Sequence, residues 1–509
     1  MKSESLLSEI REWAHCCANS TITKFKFTGI SWVVLFGLLL GFTNFTVTAQ
    51  EVPTFHSSSS LVLIDVMAQD KKTGASFDQL NLDDFEVFDN GHPVKLSSLD
   101  RGDMQMRPLS LWFVTICPEI GWIDQGSGFF KDKVPLLKPA LAHLNPNDTM
   151  GVAHWCDNGN VALDLAPTKN REAPLFVLEQ VLRMPAIEHP WPAPLGQVAL
   201  EGVMHLIGDN ARRTIPQPLP AIVFIHGDRT DLPEVEARQM AERLLATSAI
   251  VCGFNNGAID FGGSPIVPHE LFNVIHFLAG ETGGQVIAAK HESYADALAK
   301  IVDELHHRYD LRLAPPALDG KYHNLKVKLN EEARRKYSDL TLRYPAGYVP
   351  ALPTGRSPGF DEPVLTDAEV GTALVHALKS PFPYADISFE VTAKTASAEA
   401  TDATFKLSVD GAGLTWGDLP NGGRSEQVMI VAAPISATGE VIGTIVKKFE
   451  VMEPPGTDPS SHKPVAISFT ANVPKEASYF RFIIRDSQTG RIGIKDSTRE
   501  QLFSAVVVP

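Results

Sequence analysis

One short apolar run constrains the fold of this chain more than any other feature. Residues Arg107–Cys117 form a near-continuous apolar stretch that is too short for a helix and lacks polar alternation. Such a run is typical of a strand that is buried on both faces of a parallel sheet. Ligands of these sheets bind beyond the carboxyl ends of the strands, so we expect any functional chemistry to lie at and after Thr115.

The region around this run, residues 107–313, predicts an α/β doubly wound domain, because short apolar runs alternate with helical periodicity. The further strands are expected at Met150–Trp155, Val161–Leu165, Ala221–Ile225, Ala249–Phe254 and Gln285–Ala288. The helices are expected at Val134–Leu144, Ala173–Arg183, Leu195–Ile207, Val235–Ala246, Leu271–Ala279 and Tyr294–Tyr309.

Strand patterns flank this region on both sides. Residues 50–106 form an N-terminal β segment, in which Asp89-Asn-Gly91 predicts a hairpin, and residues 314–348 form another β segment. Since a few strands cannot bury an apolar face alone, we expect the two segments to pack together as a small β domain into which the α/β domain is inserted. Residues 349–386 predict a linker and a short helix.

The last segment, residues 387–509, alternates strand and turn patterns. It predicts a C-terminal all-β sandwich of the immunoglobulin or fibronectin type. Its final strand is expected at Leu502–Val508.

Residues 1–49 have the character of a signal peptide or membrane anchor. The uncharged block Ile30–Phe42 is short for a membrane span and is followed by small residues, which predicts cleavage between Ala49 and Gln50. We therefore expect an exported protein of the periplasm, the cell envelope or the medium. An uncleaved anchor is the alternative, and this segment would then be the only membrane contact.

Composition and motifs exclude several functions. A net charge of -15 argues against nucleic acid as a partner. His226-Gly-Asp228 is not accompanied by the Gly-x-Ser-x-Gly elbow of a hydrolase, and no Cys/His cluster has zinc-ligand spacing. Successive helix residues do not face one site, so we expect His306 and His307 to be solvated. We expect no enzyme and no cofactor, and a hydrolase of unrecognised type stays as one alternative.

Six motifs follow one another in an order that resembles one known family. They are Leu82–Gly91, Leu278–Gly284, Ile301–Tyr309, Asp319–Val327, Arg343–Tyr348 and Arg485–Gly493. Together they are similar to motifs of the acidobacterial proteins with a von Willebrand factor type A-related domain. The similarity covers most of the chain after residue 60. It implies a von Willebrand A-like, Rossmann-like fold for the central domain and a role in adhesion or protein binding.

The resemblance also indicates where a metal would be held. Domains of this type often carry a metal-ion-dependent adhesion site with Asp-x-Ser-x-Ser after the first strand, a Thr in a later loop and an Asp after the fourth strand. In this chain the corresponding positions are Thr115, Cys117, Glu119, Ala193 and Asp228. Because Mg²⁺ prefers fixed carboxylates and the strand-end Asp is missing, we expect a degenerate site without metal. A metal-dependent adhesion domain with rearranged ligands is the alternative.

Two cysteines fall at the ends of strands that we expect to be neighbours. Adjacent strands lie about 4.8 Å apart, which a disulfide between Cys117 and Cys156 could bridge in an oxidising compartment. Two buried thiols explain the pair equally well, so both interpretations stay open. Cys252 lies within a strand and is expected in the core.

A partner would meet the rim of the sheet. Its candidate contacts are Glu119, Trp122, Trp191, His226 and Asp228, since loop aromatics favour interfaces. The sequence thus predicts an exported, non-enzymatic binding or scaffold protein. Its partner is an unknown protein in the cell envelope or outside the cell.

Overall fold

The computed structural model describes most of the chain after residue 60. The described ranges are 61–101, 107–116, 134–155, 161–183, 217–225, 234–255, 274–288, 294–352, 367–395, 402–458 and 463–503, with single residues between 203 and 214. The expected export segment, including Ile30–Phe42, Ala49 and Gln50, lies outside them. Within these ranges, no helix has both the length and the apolar character needed to cross a membrane.

The strands and helices are numbered here in chain order. The first strands are β1 (Val62–Asp70), β2 (Phe85–Asp89), β3 (His92–Val94), β4 (Leu96–Arg101), β5 (Leu109–Ile116), β6 (Thr149–Trp155), β7 (Val161–Thr168), β8 (Leu219–Phe224), β9 (Ile250–Asn255), β10 (Val286–Ala288) and β11 (Tyr309–Leu313). The later strands are β12 (His323–Leu329), β13 (Leu340–Arg343), β14 (Gly347–Tyr348), β15 (Phe389–Thr395), β16 (Asp402–Val409), β17 (Gly417–Asp418), β18 (Arg424–Ser436), β19 (Ile445–Glu453), β20 (Val465–Asn472), β21 (Ala477–Asp486) and β22 (Ile492–Thr498). The α-helices are α1 (Ala173–Leu182), α2 (Glu234–Ala246), α3 (Val274–Thr282), α4 (Tyr294–His306), α5 (Glu331–Lys336), α6 (Asp367–Lys379) and α7 (Arg499–Phe503).

The central sheet has six strands in the order β10-β9-β8-β5-β6-β7. Its neighbours run parallel except β7, which pairs antiparallel to β6 at one edge. Leu111 and Phe113 of β5 pack in a core with α1 and α4, while Trp112 and Val114 pack in a core with α2 and α3. Because both faces of β5 are covered, its sequence has no polar alternation.

The helices follow the expected positions with two differences. The apolar stripe of α4 is buried as its spacing predicts, but the helix ends at His306 and Tyr309 opens β11 instead. The segment Val134–His143 is a 3₁₀ helix rather than the expected α-helix, and Pro139 inside it lacks the N–H that an α-helix needs. Of the helix expected at Leu195–Ile207, the described residues Val203, Leu206 and Ile207 are helical.

Two four-stranded sheets, β13-β1-β11-β4 and β14-β12-β2-β3, flank the central sheet in sequence. Ile64 of β1 and Val327 of β12 lie in one shared core, which gives each sheet a covered face. β2 and β3 are joined through Asn90 and Gly91, both with positive φ, as a two-residue hairpin of the Asn-Gly type requires.

A buried charge network lies where this β domain meets the central domain. The guanidinium of Arg308 donates to Asp65 Oδ1 at 3.1 Å and to Asp310 Oδ1 at 3.0 Å, and Arg107 donates to Asp65 Oδ2 at 3.1 Å. Arg308 also donates to the carbonyls of Leu305 and Arg107. Buried charges that are paired and hydrogen-bonded in this way hold the two parts in a fixed relation, since breaking one pair leaves another charge unpaired.

The C-terminal region is a β structure with two sheets. One has the order β15-β16-β20, and the other has the order β17-β18-β21-β22 with β19 paired to β18. Their shared core contains Phe405, Phe480 and Phe482. The strand expected at Leu502–Val508 is wrong at its start, because Leu502 belongs to α7, and residues 504–509 lie outside the described part.

This region is packed directly against the central domain. α6 contributes Leu374 and Ala377 to a core that also contains Leu165 of β7 and Ile483 of β21. Arg481 of β21 donates to the carbonyls of Ala377 and Leu378 in the last turn of α6, and to that of Ser380 just after it at 2.7 Å. A cation at a helix C-terminus satisfies carbonyls that have no partner within the helix, so α6 is fixed between the two parts.

A second contact is made by the turn between β21 and β22. Asp486 Oδ1 accepts from the backbone N–H groups of Gln488 and Thr489, and Asn210 donates to the carbonyl of Thr489 at 2.6 Å. Gly490 has φ +75 and lies against Leu163 of β7. The turn therefore covers the edge strand of the central sheet.

Candidate functional site

The site predicted from the sequence lies at the carboxyl edge of the central sheet. Of its predicted residues, Thr115 is the one that the structure describes. Thr115 is aligned with His154 of β6, and the preceding Val114 is aligned with Phe224 of β8. The backbone N–H of Ile225 donates to the carbonyl of Val114 at 2.9 Å, which carries the pairing to the end of the strand. The side chain of Thr115 is fully buried. A neutral hydroxyl thus stands at this strand end.

The other predicted site residues lie outside the described part of the chain. They are Cys117, Glu119, Trp122, Cys156, Trp191, Ala193, His226 and Asp228. The disulfide, the ligand set and the partner-binding rim therefore stay predictions. Cys252 is confirmed as a buried core residue, and burial raises the pKa of its thiol to about 11, which keeps the thiol protonated.

A buried polar cluster that is not among the predicted site residues begins at His154, the residue of β6 aligned with Thr115. It consists of His154, Asp164 and His376, which are 5%, 0% and 4% exposed. His154 Nδ1 is 2.7 Å from Asp164 Oδ2, and His376 Nε2 is 3.4 Å from Asp164 Oδ1. The register shifts between Val152 and Ala153, so Asp164 falls in a bulge of the edge strand, a feature that commonly redirects a side chain.

The charge state of this cluster follows from its surroundings. Burial alone would raise the pKa of Asp164, but the neighbouring imidazole of His154, and then that of His376, outweighs burial and holds the pKa below its usual value. Asp164 is therefore an ionised carboxylate inside the protein. Such a charge needs a cationic or hydrogen-bonding partner, and the two histidines supply it.

The described part of this arrangement has the properties of a structural connection. A general base must reach the proton that it abstracts, and both histidines are buried. Within the described ranges, no three His, Cys, Asp or Glu side chains are placed to hold a metal ion. Since His376 belongs to α6 and Asp164 to β7, the cluster joins the helix to the edge of the sheet.

The sequence carries one signal for this cluster, and one expectation about a histidine elsewhere in the domain is wrong. The charged Asp164 interrupts the apolar run Val161–Leu165, which is unusual for a buried strand. The expectation that His306 is solvated is wrong, because its Nε2 lies 2.8 Å from Asp148 Oδ2 and its side chain is 14% exposed. His307 is exposed as expected.

Comparisons with known proteins give similarities of structure only. No family model matches the chain, and no curated protein matches it. Among solved structures, the conserved hypothetical protein BatB from Bacteroides thetaiotaomicron is 14% identical, with 39% of this chain and 97% of that chain covered and a TM-score of 0.26. The SpRpn10 VWA domain is 11% identical, with 37% and 93% covered and a TM-score of 0.25.

A third similar structure is the manganese-loaded TRAP protein of Plasmodium vivax. It is 12% identical to this chain, 52% of this chain and 100% of that chain are covered, and the TM-score is 0.26. At these identities and TM-scores the similarities carry no argument about activity, metal or partners.

Proposed function

We propose that this chain is an exported, non-enzymatic binding or scaffold protein whose von Willebrand A-like domain binds a protein partner without metal. The partner would be a protein of the cell envelope or the exterior, met at the carboxyl edge of the central sheet. The observation that carries the proposal is Thr115, a buried neutral residue at the end of β5, where the resemblance to the von Willebrand factor type A-related family predicts a metal-binding Asp.

The physical reason is the charge that Mg²⁺ requires. This ion gives up water only where oxygen ligands, normally including one or two carboxylates, replace it in fixed geometry. A Thr hydroxyl contributes one neutral oxygen and no compensating charge. The carboxylate of the buried cluster, Asp164, already faces His154 and His376.

The packing around the sheet supports a scaffold role. The Asp65–Arg308–Asp310 network fixes the β domain on one side, and α6 with Arg481 fixes the C-terminal β region on another. A central sheet that is held by packed and charged contacts to two other parts of the chain is a rigid support, and binding to a rigid support costs less entropy.

A thermal-shift series tests the metal independence. The purified chain is heated with Mg²⁺, Mn²⁺, Ca²⁺ or a chelator, and we expect the same Tm in all four conditions. An ion that binds only the folded chain, at a concentration of a hundred times its Kd, would stabilise the chain by about 2.7 kcal/mol and raise the Tm by several degrees. Such a rise would favour the alternative, a metal-dependent adhesion domain in which Thr115 supplies one oxygen.

A further inference from the structure

Two buried carboxyl groups lie near each other in the C-terminal region. Glu426 of β18 and Asp486 of β21 are 1% and 0% exposed. Val428 is directly opposite Asp486 in the antiparallel register, so Glu426, two residues before Val428, lies on the same face and diagonal to Asp486. Diagonal neighbours of this kind are about 7–8 Å apart, within reach of a long side chain such as that of Glu. The two acidic groups therefore share one buried space.

Asp486 has the surroundings of an ionised carboxylate. Its Oδ1 accepts from the backbone N–H groups of Gln488 and Thr489, at 2.9 and 2.7 Å. The Thr489 hydroxyl also donates to Oδ1, and the backbone N–H of Thr415 donates to Oδ2 at 2.6 Å. Because several donors on one carboxylate stabilise its charged form, the negative charge of the pair belongs on Asp486.

Glu426 has the surroundings of a neutral carboxylic acid. It accepts from the backbone N–H of Ser487 at 3.0 Å and from the side-chain amide of Gln488 at 2.5 Å. Burial, and then the charge of Asp486, raise the pKa of Glu426 to about 8. At neutral pH the folded chain therefore holds one proton on this pair.

The groups around the pair bring no cation into contact with it. On β19, the residue opposite Glu426 is the apolar Val451. Arg424 pairs with a glutamate of β19, and Arg491 donates to two threonine hydroxyls. Among the described residues, neither these two arginines nor Arg485 forms an ion pair with either carboxyl group. A second negative charge here would therefore stand against the first without a compensating partner.

Both carboxyl groups hold the turn that contacts the central domain. This segment, Asp486–Arg491, is named here the Asp486 turn, and it supplies the donors from Ser487, Gln488 and Thr489. Asn210 of the central domain donates to the carbonyl of Thr489 at 2.6 Å, and Gly490 lies against Leu163 of β7. The atoms that bind the carboxyl groups and the atoms that contact the central sheet thus belong to one short segment.

We infer that the pair of Glu426 and Asp486 is a proton-controlled latch of the Asp486 turn. With Glu426 protonated, the turn is closed on β7. When Glu426 loses its proton, two negative charges meet in a buried space, and the turn opens from the central sheet so that water can reach them. This inference does not rest on the proposed partner or on metal independence.

Hydrogen exchange of the full exported chain tests the latch. The backbone amides of Thr489 and Gly490 are hydrogen-bonded to Asp486, so they exchange when the turn opens. Their rates are compared between the parent and Glu426→Gln at about pH 5.5, 6.5 and 7.5, and the ratio removes the chemical effect of pH on exchange. Because opening releases one proton in the parent and none in the variant, the ratio should rise about tenfold per pH unit until about pH 8.

Two further variants complete the experiment. Glu450→Gln makes the same change at an exposed position of β19, and its rates should equal those of the parent at each pH. Asp486→Asn removes the like charge, so the rise should end at a lower pH than in the parent. A ratio that stays constant with pH would overturn the latch. So would turn amides that exchange no faster than those of β18, because the turn would then open only when the whole chain unfolds.

Discussion

Replacing Gly490 with Ala probes the contact between the C-terminal turn and the central sheet. A Cβ at this position would lie 2.5 Å from Leu163 Cδ2 and 3.5 Å from the Cβ of Ala166. Leu163 is 1% exposed inside a core, so it has little room to move away. The added methyl group must therefore displace either the turn or the edge strand.

The expected loss of stability has two parts. The positive φ of Gly490 costs a non-glycine residue about 1–2 kcal/mol, and overpacking a filled core costs about 1–3 kcal/mol. We expect Gly490→Ala to lower the free energy of unfolding by about 2–5 kcal/mol. Gly439 has a similar φ of +83 with nothing near its Cβ position, so Gly439→Ala should lose only the first part.

The assay compares the two variants by urea unfolding, followed through tryptophan fluorescence. The difference of about 1–3 kcal/mol between them isolates the contact with Leu163, because both variants carry the same backbone strain. The double variant Gly490→Ala/Leu163→Ala should lose less than the sum of the single changes, since the new methyl group fills part of the cavity. Equal losses for Gly490→Ala and Gly439→Ala would refute the packing argument.

Burial, and then the neighbouring carboxylate of Asp65, raises the pKa of Asp310 from 3.8 to about 7. Between these two pH values the folded state holds a proton that the unfolded state has released, so the free energy of unfolding should fall as the pH rises from 3.8 to about 7. Asp310→Asn should flatten this fall, about 2–4 kcal/mol in unfolding titrations, and an unchanged pH profile would contradict the assignment. Thiol counting on the exported chain, unfolded but not reduced, should find one reactive thiol if Cys117 and Cys156 are bridged, and three would exclude the bridge. If the bridge is present, Cys117→Ser should lower the free energy of unfolding by about 2–4 kcal/mol. N-terminal sequencing should find Gln50 first, and Met1 on exported protein would favour the uncleaved anchor.

Much of the element pattern could be predicted because it depends on local periodicity. β6 spans Thr149–Trp155, within one residue of the expected Met150–Trp155, and the buried stripe of α4 follows the 3.6-residue repeat. The run at β5 indicates a strand with two covered faces, and both faces are covered. These features need no knowledge of distant residues.

The remaining features depend on contacts between distant parts of the chain. The partners of Asp164 include His376, which lies far along the sequence on α6, and nothing local indicates their meeting. Leu502 is expected in a strand but belongs to α7, because an apolar residue fits either structure and packing in the C-terminal core decides between them. The same limit applies to the site, where only Thr115 could be located in the described structure.

The most direct test of metal-independent partner binding is a pull-down from envelope extracts with the purified chain as bait. Parallel samples contain Mg²⁺ or an excess of chelator. We expect the same partner to be recovered in equal amount in both samples, because Thr115 offers no carboxylate to hold the ion. Loss of the partner in chelator and its return when Mg²⁺ is added back would contradict metal-independent binding.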